Sequence, residues 1–141
     1  MRLSVFIANT LSTQLIIDLQ KIYLTYLPES VVNEQAISKV LAQTSSRLYL
    51  TMFNERHIGA VKVQLETTQA TLSDLCIREI TRRRGVGKNL LKQVEKSLAS
   101  EGIKKITYDL KEISEEELLN TQAFLSDSHY NIINKIATKA L

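Results

Sequence analysis

The chain has 141 residues, of which 44% are hydrophobic, so it is long enough for one domain, residues 1–141, with its own core. Its net charge of +3 is too mild to predict an extended nucleic-acid surface, and no apolar run of about 18 residues predicts a transmembrane span. The single cysteine, Cys76, excludes an internal disulfide framework and favours a reducing, cytoplasmic environment.

The N-terminal third of the chain predicts one strand and two helices. Leu3–Ala8 is rich in β-formers and predicts a strand rather than a secretory signal. A helix capped by Ser12 or Thr13 is expected to run to about Tyr26, because apolar residues recur there at helical spacing. Ser30–Gln43 predicts a second helix.

Three strands are expected in the middle of the chain. Arg47–Phe53 and Ile58–Thr67 predict a pair of strands, joined by a four-residue hairpin connection at 54–57. A second short turn leads into a strand at Thr71–Ile80.

The remaining chain predicts two helices and the last strands. A long helix is indicated by apolar residues at the spacing of one buried face, with Gly102 as its C-terminal cap. These apolar residues are Val86, Leu90, Leu91, Val94 and Leu98. Lys105–Leu110 predicts a strand, Glu115–Ser126 a helix, and Tyr130–Leu141 one or two short strands. The order predicts an α/β fold with a central mixed sheet flanked by helices.

The segment between the third middle strand and the long helix predicts an anion site. Its sequence is Thr81-Arg82-Arg83-Arg84-Gly85-Val86-Gly87-Lys88. A helix start offers backbone N–H groups without helical partners and a positive dipole end, and glycine lets an anion approach the backbone. The three arginines add full positive charge, so the pattern favours a phosphate or pyrophosphate.

Two familiar phosphate motifs are excluded by the same residues. A Walker loop requires serine or threonine after the lysine, whereas Asn89 follows Lys88. The dinucleotide fingerprint requires a third glycine at a spacing that is not met after Gly87. An ordinary strand-to-helix turn with a solvated basic surface is the alternative interpretation.

The element order, with Arg-x-x-Gly-x-Gly opening the long helix, resembles the GNAT (N-acetyltransferase) fold. The resemblance implies that the fourth strand splays from the fifth and that acetyl-CoA or CoA binds between them. It further implies that Leu75, Cys76 and Ile77 line the pantetheine arm and that Thr81, Arg82, Arg83, Arg84, Gly85, Val86, Gly87 and Lys88 surround the pyrophosphate.

A more specific resemblance is to the PanZ/PanM family of GNAT-like factors. It rests on four stretches: 17–22, 47–49, Phe-Asn-Glu-Arg at 53–56, and Arg-Glu-Ile-Thr-Arg-Arg-Arg-Gly-Val-Gly at 78–87. The resemblance implies a regulatory protein that promotes self-cleavage of the aspartate 1-decarboxylase proenzyme to its pyruvoyl form. It also implies CoA-dependent control of the mature enzyme in pantothenate and CoA biosynthesis, and a partner surface at Asn54, Glu55 and Arg56. Met52 stands where we would expect a basic residue in this family.

No catalytic residue is predicted. Many GNAT enzymes carry a proton-donating tyrosine in the last helix, and Leu125 occupies the corresponding position here. Tyr108 or Tyr130 could substitute, although buried tyrosines are more often core residues. An inert buried thiol is favoured for Cys76, and no cluster has metal-ligand spacing.

Three functions are therefore compatible with the sequence. The first is a CoA-binding regulator of aspartate 1-decarboxylase, and the second an active acetyltransferase on a small-molecule or protein amine. The third, an RNA or polyanion binder using Arg82–Arg84, is disfavoured because no aromatic residue lies between Phe53 and Tyr108 to stack on bases.

Overall fold

The computed structural model describes residues 3–24, 26–78 and 85–141. In chain order the elements are β1 (Ser4–Ile7), α1 (Thr13–Ile22), a 3₁₀ helix (Glu29–Val31), α2 (Glu34–Ala42), β2 (Ser46–Phe53), β3 (Arg56–Leu65), β4 (Gln69–Ile77), α3 (Val86–Ser100), β5 (Lys105–Asp109), α4 (Glu115–Asp127), β6 (Asn131–Ile133) and β7 (Ile136–Ala140). The predicted α/β class and element order are confirmed.

The described strands form one sheet in the order β1-β2-β3-β4-β5-β7-β6. Within it β4 and β5 are parallel and the other neighbours are antiparallel, so the sheet is mixed as predicted. The register of β1 on β2 pairs Phe6 with Leu50, which places Val5 and Ile7 on the opposite face.

Two apolar clusters cover the two faces of this sheet. One contains the buried residues of α1 and α2 together with Leu48, Leu50 and Ala60 of the sheet. The other contains four of the five apolar residues predicted for the long helix, Leu90, Leu91, Val94 and Leu98. All five, including Val86, are at most 1% exposed in α3. Packing of that face on strands β1 to β4 fixes where α3 begins relative to β4.

Three boundaries differ from the predictions for physical reasons. The helix predicted at Ser30–Gln43 is wrong in its first part, because the Asn33 side chain accepts a 2.9 Å bond from the Ala36 N–H and starts α2 there. The helix predicted to reach Tyr26 ends at Ile22, where Tyr23 becomes its C-cap. The β2–β3 connection has two residues rather than four, since Phe53 pairs with Arg56 and Met52 with His57.

Candidate functional site

Strand β4 separates from β5 after four paired residues, as predicted for the fourth and fifth strands. The pairing covers Gln69–Leu72 against 105–108, whereas β4 continues to Ile77. The divergence begins at a bulge, where Asp74 has a φ of +53° and two residues, Asp74 and Leu75, lie opposite one residue of β3. A bulge bends a strand and increases its twist, so β4 turns away from β5 here.

Two tyrosines stabilise this bulge. The Tyr108 hydroxyl accepts the Leu75 N–H at 2.9 Å, and the Tyr23 hydroxyl donates to the Asp74 carbonyl oxygen at 2.6 Å. Burial raises the pKa of both phenols well above the usual value, so both remain neutral at physiological pH. These hydrogen bonds of the two buried tyrosines therefore stabilise the divergence of β4 from β5.

Helix α3 starts beside the C-terminal end of β4. Its N-cap, Gly85, has a φ of +77° and supplies no side-chain cap. The first N–H groups of a helix have no partner within it, so those of Val86, Gly87 and Lys88 are available to a ligand. The first turn carries no acidic residue, and Lys88 adds a positive charge.

Between β4, the start of α3 and α4 lies a cleft of about 500 Å³. Seven of the predicted cofactor residues line it, namely Leu75, Cys76, Ile77, Gly85, Val86, Gly87 and Lys88. The other four, Thr81, Arg82, Arg83 and Arg84, lie outside the described residues. Segments that are separate in sequence thus meet at one site.

One wall of this cleft was missed by the sequence prediction. It consists of Tyr26 together with Glu117, Asn120, Thr121, Phe124, Asp127 and Ser128 of α4 and its C-cap. The α4 positions recur every three or four residues, and that spacing was the available signal for a common face. The signal was weak because the face is largely polar, as the solvent face of a surface helix also is.

One feature indicates that the cleft is shaped for a ligand. A Cβ at Gly87 would lie 3.3 Å from Ile77 Cγ1 and 3.5 Å from the Phe124 ring, so glycine keeps this passage between α3, β4 and α4 open. The Ser128 side-chain oxygen has no hydrogen-bond partner among the described residues, but it is too deeply buried for a ligand in the cleft to reach.

The tyrosines differ in their access to the cleft. Tyr26 lines it, with a pKa raised to about 12 by burial and by the nearby Asp74 carboxylate. Tyr108 is only 1% exposed, and the Tyr130 hydroxyl bonds Glu95 at 2.9 Å. Leu125, at the position of the GNAT tyrosine, is fully buried. A neutral phenol with a raised pKa is a poor proton donor to a thiolate leaving group.

The predicted partner residues form a separate surface at the β2–β3 turn. Asn54 and Glu55 both have positive φ, at +51° and +63°, which is the geometry of a two-residue hairpin turn. Arg56 follows, and none of the three lines the cleft. The Arg56 side chain is 41% exposed and also pairs internally with Asp18.

Asp18 of α1 is the centre of a hydrogen-bond cluster behind this turn. Its Oδ1 accepts from Arg56 Nε at 3.0 Å and Nη2 at 2.7 Å, and from Gln14 at 2.8 Å. Its Oδ2 contacts the His57 backbone N–H at 3.1 Å and Nδ1 at 2.8 Å. Burial alone would raise the pKa of Asp18, but the bonds from Arg56 and His57 outweigh it and lower the pKa to about 2.

Neither a metal centre nor a membrane span emerges from the part of the chain that the structure describes. Its acidic, histidine and cysteine side chains form no group of three or more that could hold a metal ion. None of its helices is long and apolar enough to cross a bilayer.

Comparison with known proteins gives a family match over most of the chain. Residues 2–135 match the family model described as PanZ, an acetyltransferase (GNAT) domain. Over 94 residues, the chain is 40% identical to proteins named PanD regulatory factor in Escherichia coli and Salmonella typhimurium, covering 67% of this chain and 67% of each relative.

Solved structures share the whole architecture. The solution structure of Escherichia coli YhhK, described as an N-acetyl transferase and bound to coenzyme A, is 30% identical, with a TM-score of 0.79 and 100% coverage of both chains. The PaiA N-acetyltransferase of Thermoplasma acidophilum, in complex with coenzyme A, shares the fold at 15% identity, with a TM-score of 0.73, covering 98% of this chain and 99% of that one.

Proposed function

Since the chain belongs to the PanZ family of GNAT domains, we propose that it is a CoA-binding regulator of aspartate 1-decarboxylase. It promotes self-cleavage of the proenzyme to the pyruvoyl form and, with acetyl-CoA or CoA bound, controls the mature enzyme in pantothenate biosynthesis. A cytoplasmic location is part of this proposal, and the lone cysteine of the sequence supports it.

The observation that carries the proposal is the cleft between β4, the start of α3 and α4. The backbone of Leu75–Ile77 would bond the pantetheine arm, and the amides of Gly85–Lys88 would bond the pyrophosphate. The open passage at Gly87 supports a long ligand that extends between α3, β4 and α4. We retain Thr81–Arg84 as further pyrophosphate contacts.

The YhhK structure supports coenzyme A as this ligand. That protein is 30% identical along its full length and holds coenzyme A. When bound, acetyl-CoA would supply a thioester. Two observations favour binding over transfer. Leu125, at the position of the GNAT tyrosine, has no proton to donate, and the pKa of Tyr26, which lines the cleft, is about 12.

The turn at Asn54, Glu55 and Arg56 is the proposed contact for the decarboxylase. Support comes from its place outside the cleft, which lets ligand and partner bind at the same time. The name PanD regulatory factor of the 40% identical relatives supports this partner. Because binding linkage is reciprocal, acetyl-CoA that strengthens docking must itself bind more tightly to the docked complex.

Purified decarboxylase proenzyme provides the test. Proenzyme is incubated alone, with this protein, and with this protein plus acetyl-CoA, and the cleaved chains are quantified by gel electrophoresis. We expect cleavage only with this protein present and a further change on adding acetyl-CoA. Co-purification of this protein with the proenzyme is measured in parallel. Equal cleavage in all three samples, together with failure of the two proteins to co-purify, would refute the proposal.

A further inference from the structure

A buried carboxylate lies behind the proposed partner surface. Asp18 is 1% exposed and is the one buried acidic side chain among the described residues. We infer that Asp18 is a positioning residue, which holds the Asn54–Glu55 turn and the Arg56 side chain in the arrangement that docks on the decarboxylase. This inference rests on the proposed function of that turn.

The first argument concerns the free-energy cost of burying the charged carboxylate of Asp18. Burying a carboxylate is unfavourable unless several donors compensate for the lost water. Asp18 recruits donors from α1 and from both residues that follow the turn, Arg56 and His57. The carboxylate thus connects the hairpin to α1, although Asp18 and Arg56 are 38 residues apart in sequence.

A second argument comes from the other hairpin. Asn134 and Lys135, between β6 and β7, have φ values of +51° and +61°, close to those of Asn54 and Glu55. That turn forms without a buried carboxylate, since Asp18 alone fits that description in the described chain. The backbone geometry of such a turn does not require Asp18, so what the carboxylate adds is rigidity and a fixed placement of the turn relative to α1.

The third argument is the state of Arg56. Its Nε and Nη2 both bond Oδ1 of Asp18, which sets the plane of the guanidinium, while the side chain stays 41% exposed. The Nη1 group does not contact Asp18, and a guanidinium carries five N–H donors in a rigid fork. An oriented fork loses less entropy when it binds than a free side chain does.

Five variants test this inference by a double-mutant cycle and a matched control. Asp18→Asn keeps the shape but removes the charge. Glu55→Gly places glycine where a two-residue turn with positive φ prefers it, so it pre-organises the turn independently. A double variant combines these two changes. Lys135→Gly, alone and combined with Asp18→Asn, makes the matched change in the other hairpin.

We measure the dissociation constants for the decarboxylase proenzyme and for CoA by calorimetry, together with hydrogen exchange of the His57 amide. Asp18→Asn is expected to weaken docking about tenfold and to speed exchange at His57, with CoA affinity unchanged. Glu55 belongs to the proposed contact surface, so the docking loss caused by Asp18→Asn is compared within each background. That loss should be much smaller in the Glu55→Gly background and should stay about tenfold in the Lys135→Gly background.

Each outcome decides between roles. Normal docking by Asp18→Asn despite fast His57 exchange overturns the inference. Parallel loss of docking and CoA affinity, with the same docking loss in the Glu55→Gly background, also overturns it, because a general folding defect then explains both. If Asp18→Asn does not fold, His57→Ala removes part of the cluster and is scored in the same way. Failure of the unaltered protein to bind the proenzyme refutes the proposed function instead.

Discussion

Replacing Gly85 by aspartate and, separately, by asparagine isolates the effect of one negative charge at the start of α3. Gly85 has a φ of +77° and a ψ of +8°, and a Cβ added there meets no atom within 4 Å. Asparagine and aspartate have the same shape and are among the residues that tolerate left-handed backbone. The two variants therefore share a backbone cost and differ only in charge.

The backbone cost is roughly 1–2 kcal/mol of the free energy of unfolding, at the lower end for these two residues. A carboxylate and a phosphate charge about 6 Å apart repel by about 3 kcal/mol at an effective dielectric constant of about 20. Because Gly85 is exposed, solvent screening reduces this to roughly 1–2 kcal/mol. CoA should then bind to Gly85→Asp roughly 5- to 30-fold more weakly than to Gly85→Asn.

Calorimetric titration with CoA at low and high salt measures this difference, and thermal melts check that both variants fold. The gap in affinity should narrow at high salt, because added ions screen the repulsion. Equal CoA affinity for the two variants at low salt would refute the placement of the pyrophosphate at Gly85.

Three further predictions follow from other contacts. Asn54→Ala should weaken docking on the decarboxylase and leave CoA affinity unchanged, whereas Asn134→Ala, also at a φ of +51°, should dock normally. Loss of CoA affinity in Asn54→Ala would contradict the separation of the partner surface from the cleft. The pKa of Asp18 falls from 3.8 to about 2 on folding. Its contribution of about 2 kcal/mol to the free energy of unfolding is therefore complete above about pH 4 and disappears as the pH falls through about 2. In urea unfolding, the difference in free energy of unfolding between the unaltered protein and Asp18→Asn should therefore shrink as the pH falls. A difference that does not change with pH would disprove the pairing of Asp18 with Arg56 and His57. In Gly59→Ala the new Cβ would lie 2.5 Å from Ile77 Cδ1 and 2.8 Å from Thr51 Cγ2, so the free energy of unfolding should fall by roughly 1–3 kcal/mol; an unchanged melting temperature would show that both side chains can move aside.

Elements whose signal is periodic were predictable from the sequence. The five apolar residues of α3 recur at 3.6-residue spacing, and all five are buried in the structure. The cap at Gly102 was also predictable, because its φ of +90° is a conformation that glycine adopts without strain.

Elements that depend on a single side chain were not predictable from the sequence. The late start of α2 depends on the bond from the Ala36 N–H to Asn33, and Ser30, where the helix was predicted to begin, offers a similar local signal. The two-residue turn at Asn54–Glu55 was missed because glutamate is rare at a position that prefers glycine.

The sequence by itself determined the order of the elements and the meeting of a strand with a glycine-rich helix start, because both are encoded in residues close together along the chain. Only the tertiary structure decided that α4 and Tyr26 complete the cleft and that Asp18 lies behind the β2–β3 turn. The physical reason is that these contacts join residues far apart in sequence. Their distances depend on how the helices pack on the sheet, and no local pattern encodes that packing.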